Sequence, residues 1–288
     1  MASQAARDER VHFCLQHAPR PYPEDILRLL LERLVRGPEG VFDLRNGNAR
    51  LVAGLVEKAD NAADAADLTL LGTMGPDEAL KPLLAEAVDA AYALGRTGAR
   101  SVLHVALPSP LAGLTEVLTE RPFGVSHRAY EMATPDNTTW PVELPTGMSW
   151  RAVEPDIIDA TRAMIVEAFE GSRGTFISEP EDFRRHMLEV AEHIALLFEE
   201  QTLMGYVRVR MIEPDTGFIA LIARAPAARG RGLGDVLLRE GLRRLADMGA
   251  KTFELDVVAD NGSALGLYER HGFRTYAEEI TWERDLRA

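Results

Sequence analysis

The sequence predicts a mixed α/β fold made of two successive units, and three observations predict it. Short apolar runs of strand length alternate with longer segments of helical period along most of the chain. The order hairpin, strand, helix, strand, helix, strand occurs twice, once on each side of 135–147. That stretch gathers Pro135, Pro141 and Pro145 among turn formers and reads as a linker. The expected domains are therefore 1–134 and 148–288. With 288 residues and 46% hydrophobic content, the chain has apolar surface enough for two cores.

In the first half, Pro23 to Val35 is amphipathic and opens with Glu24 and Asp25, so a helix is expected there. Residues 41–44 and 51–56 read as strands joined across Arg45-Asn46-Gly47-Asn48, a hairpin signal. Residues 60–67 are rich in alanine and aspartate and read as a solvated loop. A short strand at 68–71, a helix from 78 to 94 ending at Gly95, a strand at 101–107, a helix at 111–118 and a strand at 125–132 come next. The segment around His12, Phe13, Cys14 and His17 is expected to fray and lacks the spacing of a zinc site.

The second half opens with a strand near 148–153 and a helix from 155 to about 169. A loop at 170–175 leads to a helix at 180–190, then strands at 194–198 and 203–211 across a Glu-Glu-Gln-Thr turn. Phe218 to Ala223 is a short apolar run bounded by Gly217 and Pro226, a buried strand. Asp235 to Met248 carries Val236, Leu237, Leu238, Leu242, Leu245 and Met248 at helical spacing, with Gly249 as C-cap. Between strand and helix stands Arg229-Gly230-Arg231-Gly232-Leu233-Gly234. Glycines there let backbone approach a ligand, and the helix start turns its N–H groups and dipole toward it. The stretch reads as a phosphate or pyrophosphate site.

The Walker pattern needs a Gly-Lys pair, which is missing, and G-x-G-x-x-G from Gly230 fails at Asp235. Arg/Gln-x-x-Gly-x-Gly/Ala does fit, through Arg229, Gly232 and Gly234. Downstream come the strand 252–258, then Asn261, Ala264, and Tyr268 with Gly272-Phe273. Together these blocks resemble the GCN5-related N-acetyltransferase (GNAT) superfamily, firmly over 217–273 and more loosely over 148–286. The resemblance implies two tandem GNAT-like domains, each a mostly antiparallel sheet flanked by helices, with a splayed strand pair at the cofactor site. The competing reading of the first half is an unrelated α/β domain.

The resemblance also implies an activity: direct transfer of acetyl from acetyl-CoA to a primary amine of a small molecule or peptide. Ile222, Ala223 and Arg224 would line the pantetheine arm, Arg229 through Gly234 the pyrophosphate, and Asn261 the region beside the arm. Tyr268 would be the general acid at the CoA sulfur. Phe169, Glu170, Arg173 and Phe176 would border the acceptor. Two departures stand out. Arg224 takes a place where the family often has valine, so its charge should point to solvent or to the acceptor. The run 218–223 also lacks the glutamate that many members use as base, leaving Glu213, Asp215, Glu254 and Asp256 as nearby acids and the base unassigned.

The copies are not equivalent. Residues 229–234 fall roughly over 74–80, which offer Asp77 and Glu78 and no arginine. Like charges a few ångströms apart cost on the order of 1–4 kcal/mol at interfacial dielectric, so the first copy is expected not to bind acetyl-CoA. Leu118, at the place of Tyr268, has no proton to give.

A net charge of −13 argues against nucleic acid or an anionic membrane as partner and favours a cationic substrate. One cysteine excludes an intrachain disulfide framework. No apolar signal core opens the chain, and no run reaches the roughly 18 residues of a membrane span, so a cytoplasmic location is expected. No metal is expected. A homodimer is compatible with the sequence. His271, in a turn before Gly272, is expected to be exposed, and His186 and His193 lack a third ligand. A protein that binds acyl-CoA as a regulator or scaffold, without turnover, stays open as the second function.

Overall fold

The computed structural model describes residues 4–19, 40–58, 65–97, 101–135, 141–173, 175 and 177–287. The helix expected at 23–35 lies outside them. The chain forms two compact units, Met1–Arg128 with Ala277–Ala288, and Ala129–Tyr276. The division thus falls at 128/129 and 276/277, and the chain's last strand belongs to the first unit.

The first unit begins with helix α1 (Gln4–His17) and the hairpin β1 (Val41–Asn46) and β2 (Ala49–Lys58). It continues through β3 (Ala65–Met74), α2 (Asp77–Thr97), β4 (Val102–Pro108), a 3₁₀ turn at Ser109–Leu114 and α3 (Thr115–Thr119). β5 (Gly124–Thr134) starts here, and β11 (Arg274–Asp285) ends here. The order is β1-β2-β3-β4-β11, antiparallel except for β3 with β4. The parallel ladder runs only from Ala65–Val102 to Leu68–Val105.

Two expectations fail in this unit. The solvated loop at 60–67 gives way at Ala65, because Ala65 and Ala66 are buried at the start of β3. The N-terminal segment is not frayed: Val11, Phe13 and Cys14 pack on Val52 and Leu71, and Arg50 lies 4.3 Å over the Phe13 ring. Arg50 also clamps Asp43 through Nε and Nη2, both at 2.9 Å. Burial pushes the Cys14 thiol up to about 12, so it is an inert core group.

The second unit contains β6 (Met148–Arg151), α4 (Ile158–Ala168), α5 (Pro180–Glu189), β7 (Ile194–Glu199), β8 (Thr202–Glu213) and β9 (Thr216–Arg224). Then come α6 (Leu233–Asp247), β10 (Thr252–Val258) and α7 (Gly262–Arg270). The order is β5-β10-β9-β8-β7-β6, again antiparallel except for one pair, β9 with β10. Period-two alternation sends Phe253, Leu255 and Val257 into the core with α6 and α7. Leu221 and Ala223 pack instead with Ile158, Phe183 and Met187 of α4 and α5. Gly241 lets α6 lie close on the sheet, since a Cβ there would come within 2.8 Å of Ile219 Cδ1.

Because Trp282 and Leu286 of β11 and its end are buried in the core under α2, the C-terminus stabilises the first unit. Trp282→Ala should cost about 3–5 kcal/mol. Deleting 277–288 should strip hydrogen-exchange protection first from β4 and α2, with α6 retaining its protection.

Candidate functional site

The site is built on one interrupted ladder. β9 and β10 pair from Thr216–Thr252 to Ile219–Leu255, the last rung. β9 then runs on to Arg224 against β8, while β10 carries its pairing with β5 to Val258–Ala129. Between Ile219 and Leu221, Ala220 is an extra residue against Arg208 and Val209 of β8, a β-bulge. A bulge bends its strand and adds twist, so β9 diverges from β10 at that point. The edge of β9 that carries Ile222, Ala223 and Arg224 lies beyond the last rung, facing the gap.

The turn after β9 supplies the second part. Gly230 and Gly232 both sit at φ 75, a left-handed conformation that L side chains rarely adopt. Gly232 is the N-cap of α6, and no side chain caps that helix. Its first N–H groups and the positive end of its dipole therefore face outward. A Cβ on Gly230 or Gly232 would meet nothing within 4 Å, so the concavity is open on its outer side. Leu233 and Gly234 are buried beneath it.

Three arginines surround this helix start. Arg229 is exposed. Arg231 forks onto Glu199, Nη1 to Oε2 at 2.9 Å and Nη2 to Oε1 at 2.6 Å, which holds the Glu199 carboxyl below its usual range. The pair is solvent-exposed and worth little, so a phosphate can displace it. Arg224 points neither to solvent nor to the acceptor side, contrary to expectation. Its guanidinium lies against the first turn of α6: a Cβ on Gly234 would stand 3.6 Å from Arg224 Nη1 and 3.4 Å from Leu267 Cδ2.

Tyr268 projects from α7 into the same region. It is buried, its ring centroid 6.0 Å from that of Phe273. Burial pushes the phenol up to about 12, with the charge of Arg224 pulling the other way. It thus keeps its proton at neutral pH beside a cation, as a group that must donate one requires. Asn261 is the N-cap of α7, and its Oδ1 accepts from Ala264 N and Ser263 Oγ, both at 3.2 Å. Its carbonyl oxygen is thus engaged in capping, and the amide NH₂ is the part left for a ligand.

His271 overturns its expectation, being 5% exposed. Nδ1 donates to the Leu267 carbonyl at 2.9 Å, and Nε2 stands 3.0 Å from Asp235 Oδ1, close for an ion pair but poorly aligned for a hydrogen bond. Asp235 also takes Arg239 Nε at 2.7 Å, so His271 and Asp235 tie the end of α7 to the first turn of α6. No sequence signal marked this link, because the two residues come together only through helix packing.

On the opposite face, Phe169 at the end of α4 packs with the cluster that holds Leu221 and Ala223. Glu170 and Arg173 come next, on an exposed turn. Phe176 lies outside the described residues. Sequence reasoning left one group unassembled. Tyr276 Oη donates to Glu254 Oε2 at 3.1 Å and also faces Glu131, while burial, with Glu213, Glu131 and Asp256 nearby, raises the Glu254 carboxyl.

Fold and site define a two-unit α/β protein with an uncapped, glycine-flanked helix start beside a splayed strand pair. Residues 159–273, all within the second unit, match the model of the acetyltransferase (GNAT) family. It is 35% identical over 91 residues to a mycothiol acetyltransferase of Corynebacterium efficiens, covering 32% of this chain and 31% of the relative. To one of Rhodococcus opacus it is 28% identical over 200 residues, covering 67% and 59%. The alignments thus span less than two thirds of these curated relatives. A GCN5-related N-acetyltransferase structure from Sphaerobacter thermophilus superposes at TM-score 0.69 with 16% identity over 97% of this chain and 92% of that one. A tandem GNAT protein from the clavulanic acid biosynthesis pathway gives 0.67, 17%, 99% and 96%. These likenesses show the fold across the whole chain. Among the described residues, no helix is long and apolar enough to cross a membrane, and no three metal-ligating side chains converge.

Tyr206, which burial also pushes up to about 12, shares this unit with Tyr268. Both phenols stay protonated in the fold while the unfolded chain ionises near pH 10. Their stabilisation is intact below about pH 10 and falls as pH rises towards 12, by up to about 1.4 kcal/mol per pH unit for each phenol. Urea melts from pH 9 to 12 should show this fall, reduced in Tyr268→Phe.

Proposed function

We propose that the chain is an acetyl-CoA-dependent N-acetyltransferase that moves acetyl directly to a primary amine of a small molecule or peptide, working in its second unit. One observation carries the reading: the uncapped start of α6, cradled by Gly230 and Gly232, lies beside the open edge of β9. Arg229, Gly230, Arg231, Gly232, Leu233 and Gly234 would hold the pyrophosphate through backbone N–H groups and guanidinium charge. Main-chain groups of Ile222, Ala223 and Arg224 would receive the pantetheine arm as an added strand. Asn261 would meet the arm through its amide, and Tyr268 would give its proton to the departing sulfur. The curated relatives' name, mycothiol acetyltransferase, supports a small-molecule acceptor. Phe169, Glu170 and Arg173 would line that acceptor's side. The lone cysteine fits a cytoplasmic location.

The first unit, in this reading, shapes the protein and does not bind acetyl-CoA. Its parallel ladder also stops short, at Leu68–Val105, but only Gly75 and Pro76 separate β3 from α2. The first turn of α2 carries its own carboxylates, Asp77 and Glu78. A Cβ on Gly113 of the 3₁₀ turn would fall on the Asp77 carboxylate, so that turn sits against the first residue of the helix.

Calorimetric titration tests this. Acetyl-CoA should bind at one site per chain, and Arg229→Glu with Gly232→Glu should abolish binding. Two sites would refute the assignment of the first unit, and binding without CoA release to any amine would favour the scaffold reading. Tyr268→Phe should leave affinity within about threefold and slow turnover by about 10²-fold or more.

A further inference from the structure

We infer that Glu254 is the general base of the transfer, held in place by Tyr276; the inference rests on the acetyltransferase reading above. β9 offers no carboxylate, but the rung beside its splay does. Phe218 pairs directly with Glu254, one rung before the ladder ends at Ile219–Leu255. Phe253, Leu255 and Val257 point into the α6–α7 core, so Glu254 points to the opposite face, the one on which Leu221 and Phe169 pack. The acid and the base then act from opposite faces of one gap: Tyr268 from the α6–α7 side, Glu254 from the acceptor side.

The neighbouring carboxylates fit this role less well. Asp256 shares the face but is exposed, and it sits across from Glu131. Glu254 is half-buried and fixed by the Tyr276 hydroxyl at 3.1 Å. Arg210 stacks 4.9 Å over the Phe218 ring, placing a cation on the adjoining β8–β9 rung. The groups facing or adjoining Glu254 are thus Glu131 of β5, Glu213 and Arg210 of β8, Asp256 of β10 and Tyr276 of β11. Burial together with these like charges raises its carboxyl, towards the range where a base works at neutral pH. The first unit carries a parallel construction. On its own penultimate rung Asp67 pairs with His104, whose Nδ1 is 3.0 Å from Asp67 Oδ1. Both copies place a proton-accepting side chain on the rung before the splay.

Glu254 takes one proton from the acceptor ammonium, directly or through one water, freeing the nitrogen lone pair to bond to the thioester carbon. As the C–S bond breaks, Tyr268 gives its phenolic proton to sulfur. The second nitrogen proton returns through water to Tyr268, and Glu254 releases its own to solvent. The protons then balance: each turnover yields the acetamide, CoA thiol and one proton.

The test is CoA release with glucosamine, spermidine and a lysine-containing tripeptide as probes, from pH 6 to 9, with acetyl-CoA affinity measured beside it. Glu254→Gln should bind acetyl-CoA as wild type does, yet lose about 10²-fold or more in turnover at pH 7. Glu254→Asp should recover part of that loss. Tyr276→Phe removes a donor to the carboxylate and should move the acidic limb of the pH–rate profile up. Asp256→Asn removes a like charge and should move that limb down, with under about fivefold loss at its optimum. A Glu254→Gln enzyme with wild-type rate and profile would overturn the assignment and leave the acetyltransferase reading standing. Wild type that binds acetyl-CoA but acetylates none of the probes would overturn both.

Discussion

The hydrogen-bonded rung between Ile219 and Leu255 is where the second unit's sheet stops being only a scaffold. Up to that rung, the parallel pair satisfies its own backbone. Past it, the bulge at Ala220 turns β9 away, and the main-chain groups of its last residues need another partner. A sheet interior would pay for that opening with unsatisfied amides unless a ligand or water took them up. The same divergence leaves room at the strand end for the turn 225–232, and that turn sets where α6 begins. The position of the uncapped start of α6 therefore depends on the splay.

The two units differ in little at one topological position. Each has a single parallel pair, and each ladder closes after four rungs, at Leu68–Val105 and at Ile219–Leu255. The difference lies in the connection from the parallel strand to its helix. In the second unit, an eight-residue connection with two left-handed glycines opens the helix start. In the first, β3 passes into α2 through Gly75 and Pro76, and the helix start meets a 3₁₀ turn and its own acidic side chains. The same fold thus supports opposite electrostatics at one topological position, which is why fold alone does not carry function.

Much of this was legible in the sequence wherever local chemistry decides. Strand β10 and the cap at Gly249 follow from alternation and from one glycine at φ 97. The turn before α6 was readable because glycine spacing is a local property, and Gly230 and Gly232 both take the left-handed conformation. The features that stayed hidden depend on distant contacts. α1 looked like a fraying tail because Phe13 and Cys14 find partners such as Arg50, Val52 and Leu71 far along the chain, on β2 and β3. His271 looked exposed because Asp235, its partner, lies on another helix. Residues 277–285 fall within the expected second domain, 148–288, yet as part of β11 they pair with β4 of the first unit, since register between remote strands leaves no mark in the chain. Arg224 was misplaced for a related reason: the bulge at Ala220 shifts the alternation, and a one-residue slip reverses the side to which a strand residue points.

Charge completes the argument about direction. The chain carries a net −13, yet the start of α6 gathers Arg224, Arg229 and Arg231. The acceptor-side face beside the splay carries Glu131, Glu254 and Asp256 instead, with Glu213 close by. Opposite signs on the two sides of one gap would sort the proposed reactants: an anionic phosphate chain would be drawn to the helix start, and an ammonium to the carboxylates. Arg231 and Glu199 mark the boundary, since the fork they make is the exposed contact a pyrophosphate must displace. A neutral acceptor would gain nothing from such a face, and an anionic one would be repelled by it. Such a field is consistent with the cationic amine proposed as acceptor.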